Sequence, residues 1–237
     1  MIFGKIEYLN LLPFHIFMKR FLPHLGMKQS MEYHKSVPAK INEKFLQRRV
    51  DAAYISSIAS KKHCNNPRLG IIAHKEVRSV LVIPSKTKQS DSESATSNAL
   101  AELLGIEGKV LIGDKALKYA LKHDDYIDLA SLWYEKEKLP FVFATLCSHT
   151  QSPLFKKLQR HFLKQARSIK IPHYMLHKAA HKTDIPPKEV TAYLQLISYN
   201  IDTKSHKSLK KFLKKAKSKK RYSTTVSYTH LTLPTKA

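Results

Sequence analysis

Polar side chains suited to binding a small anion occur where predicted strands end. Asn10, which carries both an amide donor and a carbonyl acceptor, follows the first apolar segment. Ser56 and Ser57 stand where a buried strand meets a helix, and free backbone N–H groups at a helix start favour an anion. Each has a structural alternative, because Asn10 could form an Asx turn and one serine could simply cap the helix.

A second group of polar residues follows further along the chain. Arg78 and Ser79 begin the apolar segment Val80–Ile83, where an arginine could hold a carboxylate in bidentate fashion or remain solvated. Thr96 and Ser97, in the segment Ser94–Ser97, precede an apolar helix pattern and repeat the Ser56-Ser57 arrangement. Asp114, after Gly113, could contact a ligand or cap a helix. Together these residues favour a small carboxylate ligand, but they do not distinguish an enzyme from a binding protein.

Metal and cofactor chemistry is not indicated. The 13 histidines form no H-E-x-x-H pattern, the two cysteines form no C-x-x-C pair, and there is no glycine-rich nucleotide loop. We therefore expect no metal and no cofactor. Cys64 and Cys147 are predicted to be free thiols in a reducing compartment.

Basic residues dominate the charge, which is +24 in total. The stretch Lys204–Arg221 holds ten of the 42 basic residues and no acid, and Leu209, Phe212 and Leu213 recur in it at helical spacing. This pattern predicts an amphipathic helix with a solvated basic face. Contact with a nucleic acid or an anionic surface is the alternative, but no nucleic-acid-binding motif supports it, so no nucleic-acid partner is expected.

The chain is long enough for a proper core, with 237 residues of which 43% are hydrophobic. It has no apolar stretch of about 18 residues, so no membrane span is expected. The N-terminus begins with a strand-like alternation and not with a signal-peptide pattern, which predicts a cytoplasmic protein. The sequence leaves the oligomeric state open.

Short apolar strands alternate with helix patterns, which predicts an α/β fold. A polar loop at 86–94 and a helical C-terminal part divide the chain into two lobes. Residues 1–85 are predicted to form lobe 1, completed by helices at about 170–222, and residues 86–169 to form lobe 2. The ligand cleft would lie between them, at the carboxyl ends of the strands. The Thr-rich residues 223–237 are predicted to be a non-native tail that packs on nothing.

Several segments resemble the chorismate dehydratase family of the futalosine route to menaquinone. The resemblance is collinear to about Arg221, and it is carried by Gly4–Asn10, Asp51–Ser57, Arg78–Val80, Thr96–Leu104, Asp128–Trp133 and Leu139–Ala144. The sequence departs from the family pattern at Lys138, where a glycine is expected, and in the acidic, serine-rich loop at 90–94.

The resemblance implies a two-lobed fold of the periplasmic-binding-protein type II kind and a cofactor-free elimination. Chorismate, a dianion, would lose water to give 3-[(1-carboxyvinyl)oxy]benzoate. Asn10 matches the position of the family's proposed base, and Ser57, Ser79, Thr96 and Ser97 would donate to carboxylates. The alternatives are the sister lyase of the same pathway, which acts on cyclic dehypoxanthine futalosine, and a non-catalytic carboxylate-binding protein.

Overall fold

The structure is a computed structural model that describes residues 1–22, 24–60, 64, 66–166 and 168–226, with side chains described up to residue 218. Strands and helices alternate through its first two thirds. The strands are β1 Phe3–Ile6, β2 Lys35–Ser36, β3 Ala52–Ser56, β4 Leu69–Ala73, β5 Val80–Pro84, β6 Gly108–Ile112, β7 Ile127–Asp128, β8 Phe141–Ser148 and β9 Ile197–Asn200.

Helices connect these strands and form the C-terminal part. They are α1 Leu12–Phe21, α2 Leu25–Tyr33, α3 Pro38–Leu46, α4 Ser57–Ser60, α5 Ala95–Leu104, α6 Gly113–Ala120, α7 Leu129–Glu137, α8 Pro153–Gln165, α9 His173–Thr183, α10 Pro187–Gln195 and α11 Thr203–Val226. A short 3-10 helix, Leu9–Leu11, lies between β1 and α1. Within the described residues, no helix contains an apolar stretch long enough to cross a bilayer.

Two sheets form the two lobes. The larger sheet has the order β2-β1-β3-β8-β4-β9, with β1 parallel to β2 and β3, and β8 antiparallel to both β3 and β4. The smaller sheet has the order β6-β5-β7. Since β8 returns to the larger sheet after β5, β6 and β7, the chain crosses between the lobes twice. The predicted fold class is confirmed in its two-lobed α/β architecture.

Two strands belong to the sheet of the other lobe from the one predicted. β5, within predicted lobe 1, pairs with β6 and β7, whereas β8, within predicted lobe 2, pairs with β3 and β4. The sequence pattern of an apolar strand does not show which sheet it joins. Strands pair through backbone hydrogen bonds, which an apolar pattern does not specify. We therefore place the crossings between β4 and β5 and between α7 and β8.

The element assignments differ in further places, among them β9, a strand in the C-terminal part that is predicted to be helical. The short apolar pattern of Met31–His34 predicts a strand, but this segment belongs mostly to α2, and the strand itself is the two-residue β2 that follows. Four residues are too few to separate a two-residue from a helical period. The predicted basic helix is present as α11 and extends to Val226, so the first residues of the predicted tail are helical. Residues 227–237 lie outside the described part of the chain.

Helix α11 is attached to the rest of the fold by both apolar and charged contacts. Phe212 is buried, and the indole N–H of Trp133 on α7 donates to the Ser208 hydroxyl at 3.0 Å. Lys211 and Lys215 form ion pairs with Glu137 at the end of α7. Part of the basic stretch is thus used within the molecule, and only the remainder forms the predicted solvated face.

Cys64 and Cys147 form a disulfide, so the prediction of two free thiols is wrong. Their Cα atoms lie 5.3 Å apart although 83 positions separate them in sequence. Cys147 is on β8, which pairs with both β3 and β4, and Cys64 lies in the connection between those two strands. Sequence distance was therefore no guide to spatial distance.

Lys138 ends helix α7 in a left-handed backbone conformation. Its φ is +55°, and its backbone N–H donates to the Tyr134 carbonyl at 2.8 Å. Glycine is the usual residue at this position because it has no Cβ to clash with the backbone. The departure from the family pattern noted at Lys138 is therefore a lysine in a conformation that favours glycine.

Replacing Lys138 with glycine is expected to raise the free energy of unfolding by about 1 kcal/mol, because the left-handed conformation costs an L-residue about 1–2 kcal/mol. Urea unfolding of both proteins measures the change. Lys136→Gly, in the last turn of the same helix, is the matched control and should lower stability by about 1 kcal/mol. A loss of stability in both variants would contradict the assignment.

Candidate ligand cavity between the lobes

A small cavity of about 70 Å³ lies between the two sheets. Lobe 1 contributes the end of β1, the 3-10 helix and parts of β3, β4 and β8, and lobe 2 contributes β5 and the starts of α5 and α6. The lining residues are Ile6, Tyr8, Asn10, Leu11, Pro38, Tyr54, Ser56, Ile71, Val77, Ser79, Val80, Ser94, Ser97, Ile112, Gly113, Phe143 and Ala144. Four of the predicted site residues, Asn10, Ser56, Ser79 and Ser97, therefore share one cavity.

Asn10 is held in the cavity wall through its backbone. The Tyr199 hydroxyl donates to the Asn10 carbonyl at 2.6 Å, and the neighbouring Leu9 N–H donates to Asp114 Oδ1 at 3.0 Å. Burial raises the pKa of the Tyr193 phenol, which stays protonated and donates to Ser79 Oγ at 2.9 Å.

Ser56 accepts a hydrogen bond from the neighbouring helix. Asn42 on α3 donates from Nδ2 to Ser56 Oγ at 2.8 Å, and its Oδ1 accepts from the Ser56 backbone N–H at 3.1 Å. The Asn42 amide thus holds both the hydroxyl and the backbone N–H of Ser56. Because Ser56 Oγ acts as an acceptor in this pair, its own proton remains to be donated.

Ser79 and Ser97, in lobe 2, also accept a hydrogen bond through the hydroxyl oxygen. Ser79 Oγ accepts from Tyr193, and Ser97 Oγ accepts from the Ser94 hydroxyl at 2.7 Å. Ser94 also caps helix α5, since its Oγ accepts from the Ser97 backbone N–H at 3.1 Å. Ser79 and Ser97 are each only 1% exposed. Their protons, too, are free for a ligand.

The cavity therefore presents several neutral donors to a bound molecule. Three serine hydroxyls each accept one hydrogen bond from the protein and keep a proton, and the Asn10 amide stands beside them. No lysine, arginine or acidic side chain is among the described residues that line the cavity. Oriented neutral donors of this kind suit carboxylate or hydroxyl oxygens of a small ligand.

Two predicted donors, Ser57 and Thr96, lie outside the cavity. Ser57 Oγ gives its proton to the Val142 carbonyl at 2.7 Å, and Thr96 Oγ1 accepts from the Ile58 backbone N–H at 3.2 Å. Both side chains are buried and neither lines the cavity. Adjacent residues at a strand end point in different directions, and strand pairing with β8 decides which of Ser56 and Ser57 enters the cavity.

Arg78 and Asp114 also stand outside the cavity wall. Arg78 forms an ion pair with Glu76 at 3.1 Å, and its side chain is 42% exposed. Asp114 accepts the Leu9 N–H, so it holds the 3-10 helix that carries Asn10 without lining the cavity itself.

Asp114 lines a second, larger cavity of about 900 Å³ on lobe 1. Lysines from β1, β2, α1, α2 and α9 surround this cavity, and some are already paired, as Lys5 is with Glu32. Within the described part of the chain, no cluster of histidine, cysteine and acidic side chains could hold a metal ion.

Side chains that orient the donors were not identified from the sequence. Tyr193 and Tyr199 lie far along the chain from Ser79 and Asn10, and Asn42 lies in a helix pattern that precedes Ser56; the types of all three residues suit a core as well as a site. Tyr54 lines the cavity but sits in an apolar strand pattern, which gave no reason to assign it a role. The only sequence signal was the presence of polar groups on predicted apolar faces.

The lobes are closed on each other. The Tyr8 hydroxyl of lobe 1 donates to Glu93 Oε2 at 2.5 Å, its ring covers Gly113 of lobe 2, and Lys118 pairs with Asp184 at 2.6 Å. A Cβ at Gly113 would lie 2.7 Å from the Tyr8 ring, so this closure requires a glycine there. Small-molecule pockets typically measure about 300–1,000 Å³, so the lobes must separate before a ligand can enter.

The chain belongs to the menaquinone biosynthesis family, whose family model matches residues 1–109 and 101–218. A chorismate dehydratase from Campylobacter jejuni is 48% identical to it over 220 residues, which are 92% of this chain and 98% of that protein. A chorismate dehydratase from Thermus thermophilus is 25% identical over 261 residues, covering 89% of this chain and 93% of that protein.

A solved structure of a protein from Archaeoglobus fulgidus shares the fold. The two structures agree with a TM-score of 0.61 at 15% sequence identity, over 92% of this chain and 97% of the other. At this level of identity the likeness concerns the fold alone.

Replacing Asp114 with asparagine is expected to stabilise the protein at neutral pH. Burial raises the pKa of the Asp114 carboxyl from 3.8 to about 6, although the Leu9 N–H and Lys182 favour its charged form. The folded state therefore binds the proton more tightly than the unfolded state, and this contribution to stability is lost as the pH rises from about 4 to 6. Asparagine keeps an acceptor for Leu9 without the buried charge, so the gain should reach roughly 1–3 kcal/mol at pH 7.5.

Urea unfolding at pH 4 and pH 7.5 measures this difference, which should grow with pH. Asp124→Asn removes the same charge from an exposed position and serves as the control. An equal difference at both pH values would contradict the buried-carboxyl explanation.

Proposed function

We propose that the chain is a chorismate dehydratase, which converts chorismate to 3-[(1-carboxyvinyl)oxy]benzoate and water in the route to menaquinone. Family membership supports this function, as does 48% identity over nearly the full length of a relative of that name. The enzyme would be a carbon–oxygen lyase that uses no cofactor. With this function we also propose a cytoplasmic location, since chorismate is an intermediate of central metabolism.

One structural observation carries the proposal. Three serine hydroxyls with free protons and the Asn10 amide line a cavity between the lobes. No charged side chain is among the described residues that line it. A dicarboxylate with a ring hydroxyl offers several oxygens to such donors. Hydrogen bonds to a charged group contribute about 1.5–3 kcal/mol each, so several of them can hold a dianion.

The reaction needs orientation more than strong acid–base chemistry. A proton leaves C3, the hydroxyl leaves C4, and the two together make the released water while the ring becomes aromatic. Aromaticity supplies the driving force, so the protein has to hold the ring with its C3–H and C4–OH bonds correctly placed. We assign the carboxylates to Ser56, Ser79 and Ser97.

Asn10 has a different role in this scheme. An amide is too weak a base to remove a proton at neutral pH, but its carbonyl oxygen can accept and its N–H₂ can donate. The Tyr199 contact fixes its backbone. We propose that Asn10 aligns the ring or polarises the water that forms at C3 and C4.

The net charge of +24 supports the capture of a dianion. Because no cation is among the described residues in the cavity wall, attraction must come from the summed field of the surface. Such a field raises the rate of encounter and weakens as salt is added.

Incubation of the purified chain with chorismate tests the function directly. The aromatic product should accumulate, as detected by its absorbance and mass. Cyclic dehypoxanthine futalosine is the comparison substrate and should remain unchanged. Turnover of that compound, or binding of chorismate without product, would overturn the proposal in favour of the sister lyase or of a binding protein.

Three variants then test the site. Asn10→Ala is expected to lower kcat by at least about 100-fold, and Ser97→Ala to lower kcat/KM by about 10–100-fold, because each removes a contact with the substrate. Ser57→Ala is the matched control, since that hydroxyl is bound to Val142. It should stay within a few-fold of wild type in activity and lose about 1 kcal/mol of stability.

A Ser57→Ala enzyme that loses as much activity as Ser97→Ala, with stability unchanged, would show that Ser57 contacts the substrate instead. Near-normal activity of Asn10→Ala would remove Asn10 from the mechanism.

A further inference from the structure

Tyr54 lines the candidate cavity and carries a hydroxyl that has no partner among the described residues. The residue lies on β3, lines the cavity together with Asn10 and Ser97, and is 1% exposed. Its ring packs edge-on against Phe14 with centroids 5.0 Å apart, so the ring is held by the core. The hydroxyl is buried and has no hydrogen-bond partner among the described residues.

The other buried tyrosines near the cavity behave differently. The Tyr193 hydroxyl donates to Ser79 Oγ at 2.9 Å, and the Tyr199 hydroxyl donates to the Asn10 carbonyl at 2.6 Å. Of these three phenols, only that of Tyr54 has no acceptor among the described residues. Burial raises its pKa well above the usual value, and the neighbouring Tyr199 adds to this effect. Tyr54 therefore remains a neutral donor.

An unpartnered buried hydroxyl costs free energy that a phenylalanine at the same position would not. The Tyr54 ring makes the same core contacts with or without its oxygen. A buried donor that lacks a partner among the described residues, and that belongs to the wall of a ligand cavity, is best explained by a partner that arrives with the ligand.

We propose that the Tyr54 hydroxyl donates a hydrogen bond to an oxygen of the bound substrate, and this inference rests on the proposed dehydratase function. Tyr54 is then the fourth hydroxyl donor of the site and the only phenol among them. It would enter from β3, the strand that also carries Ser56, and complete the set of donors on the lobe 1 side.

Tyr54→Phe is the test, because it removes one oxygen and keeps the ring. We expect kcat/KM for chorismate to fall by about 10–100-fold, while the melting temperature of the ligand-free protein stays the same or rises. The increase in melting temperature that saturating chorismate produces should be smaller than in the wild type.

Two control variants separate this role from a structural one. Tyr199→Phe removes a hydroxyl that has a partner, so it should lower the melting temperature of the ligand-free protein. Tyr33→Phe changes a side chain that is 82% exposed and should leave both activity and melting temperature unchanged. Only Tyr54→Phe should lose activity without losing stability.

Whether Tyr54→Phe changes kcat or KM identifies which oxygen of the substrate the Tyr54 hydroxyl contacts. A bond to a carboxylate exists before and during the reaction, so its loss raises KM, whereas a bond to the departing hydroxyl strengthens only as charge develops, so its loss lowers kcat. Either result supports the contact.

If the wild type converts chorismate and the kcat/KM of Tyr54→Phe lies within twofold of the wild-type value, the inference about Tyr54 is overturned while the proposed function stands. A wild-type protein that does not dehydrate chorismate would overturn the proposed function, and the role of Tyr54 with it.

Discussion

The site depends on hydrogen bonds that its serines accept. A serine hydroxyl has a single proton, and whether it reaches a ligand is decided by what the protein does with the oxygen. At Ser56, Ser79 and Ser97 the protein donates to that oxygen, from Asn42, Tyr193 and Ser94. Because each donor belongs to a helix or its cap, the free proton is oriented before any ligand arrives, and little reorganisation is needed on binding. Ser57 shows the opposite case, since its proton already belongs to Val142.

These donors are divided between the lobes. Ser56 and Asn10 belong to lobe 1, while Ser79 and Ser97 belong to lobe 2, so the complete set exists only when the lobes are together. Closure is supported by the contact of Tyr8 with Gly113 and Glu93 and by the hold of Asp114 on the 3-10 helix. Exclusion of water in the closed state strengthens each oriented donor. Assembly of the site and closure of the lobes are thus the same event.

Much of this arrangement could be predicted from local pattern. The pattern of Leu129–Glu137 predicts a helix with the observed bounds of α7, and in the structure Asp128 marks its start by accepting from the backbone N–H groups of Ala130 and Ser131. Asn10 and Ser97 were expected to share a cavity because both follow strands whose carboxyl ends face the cleft.

What local pattern could not supply was the set of strand partners. The position of β8 between β3 and β4 decides that Ser56 faces the cavity and Ser57 does not, that Cys64 meets Cys147, and that β5 leaves the first sheet. Tyr54 was missed for a related reason. Its apolar strand context is the same whether its hydroxyl has a partner or not, and only the assembled core shows that it has none among the described residues.

The central place of β8 also constrains how the molecule is made. The strands β1, β3 and β4 are complete by Ala73, yet the middle of their sheet is filled by residues 141–148, which the ribosome delivers only after the whole of the small sheet. Until then, the edges of β3 and β4 that later pair with β8 have unpaired backbone N–H and C=O groups. The N-terminal part of the chain therefore cannot mature during synthesis as an independent unit, and its folding must wait for a contact between distant segments, the kind of closure that makes folding slow.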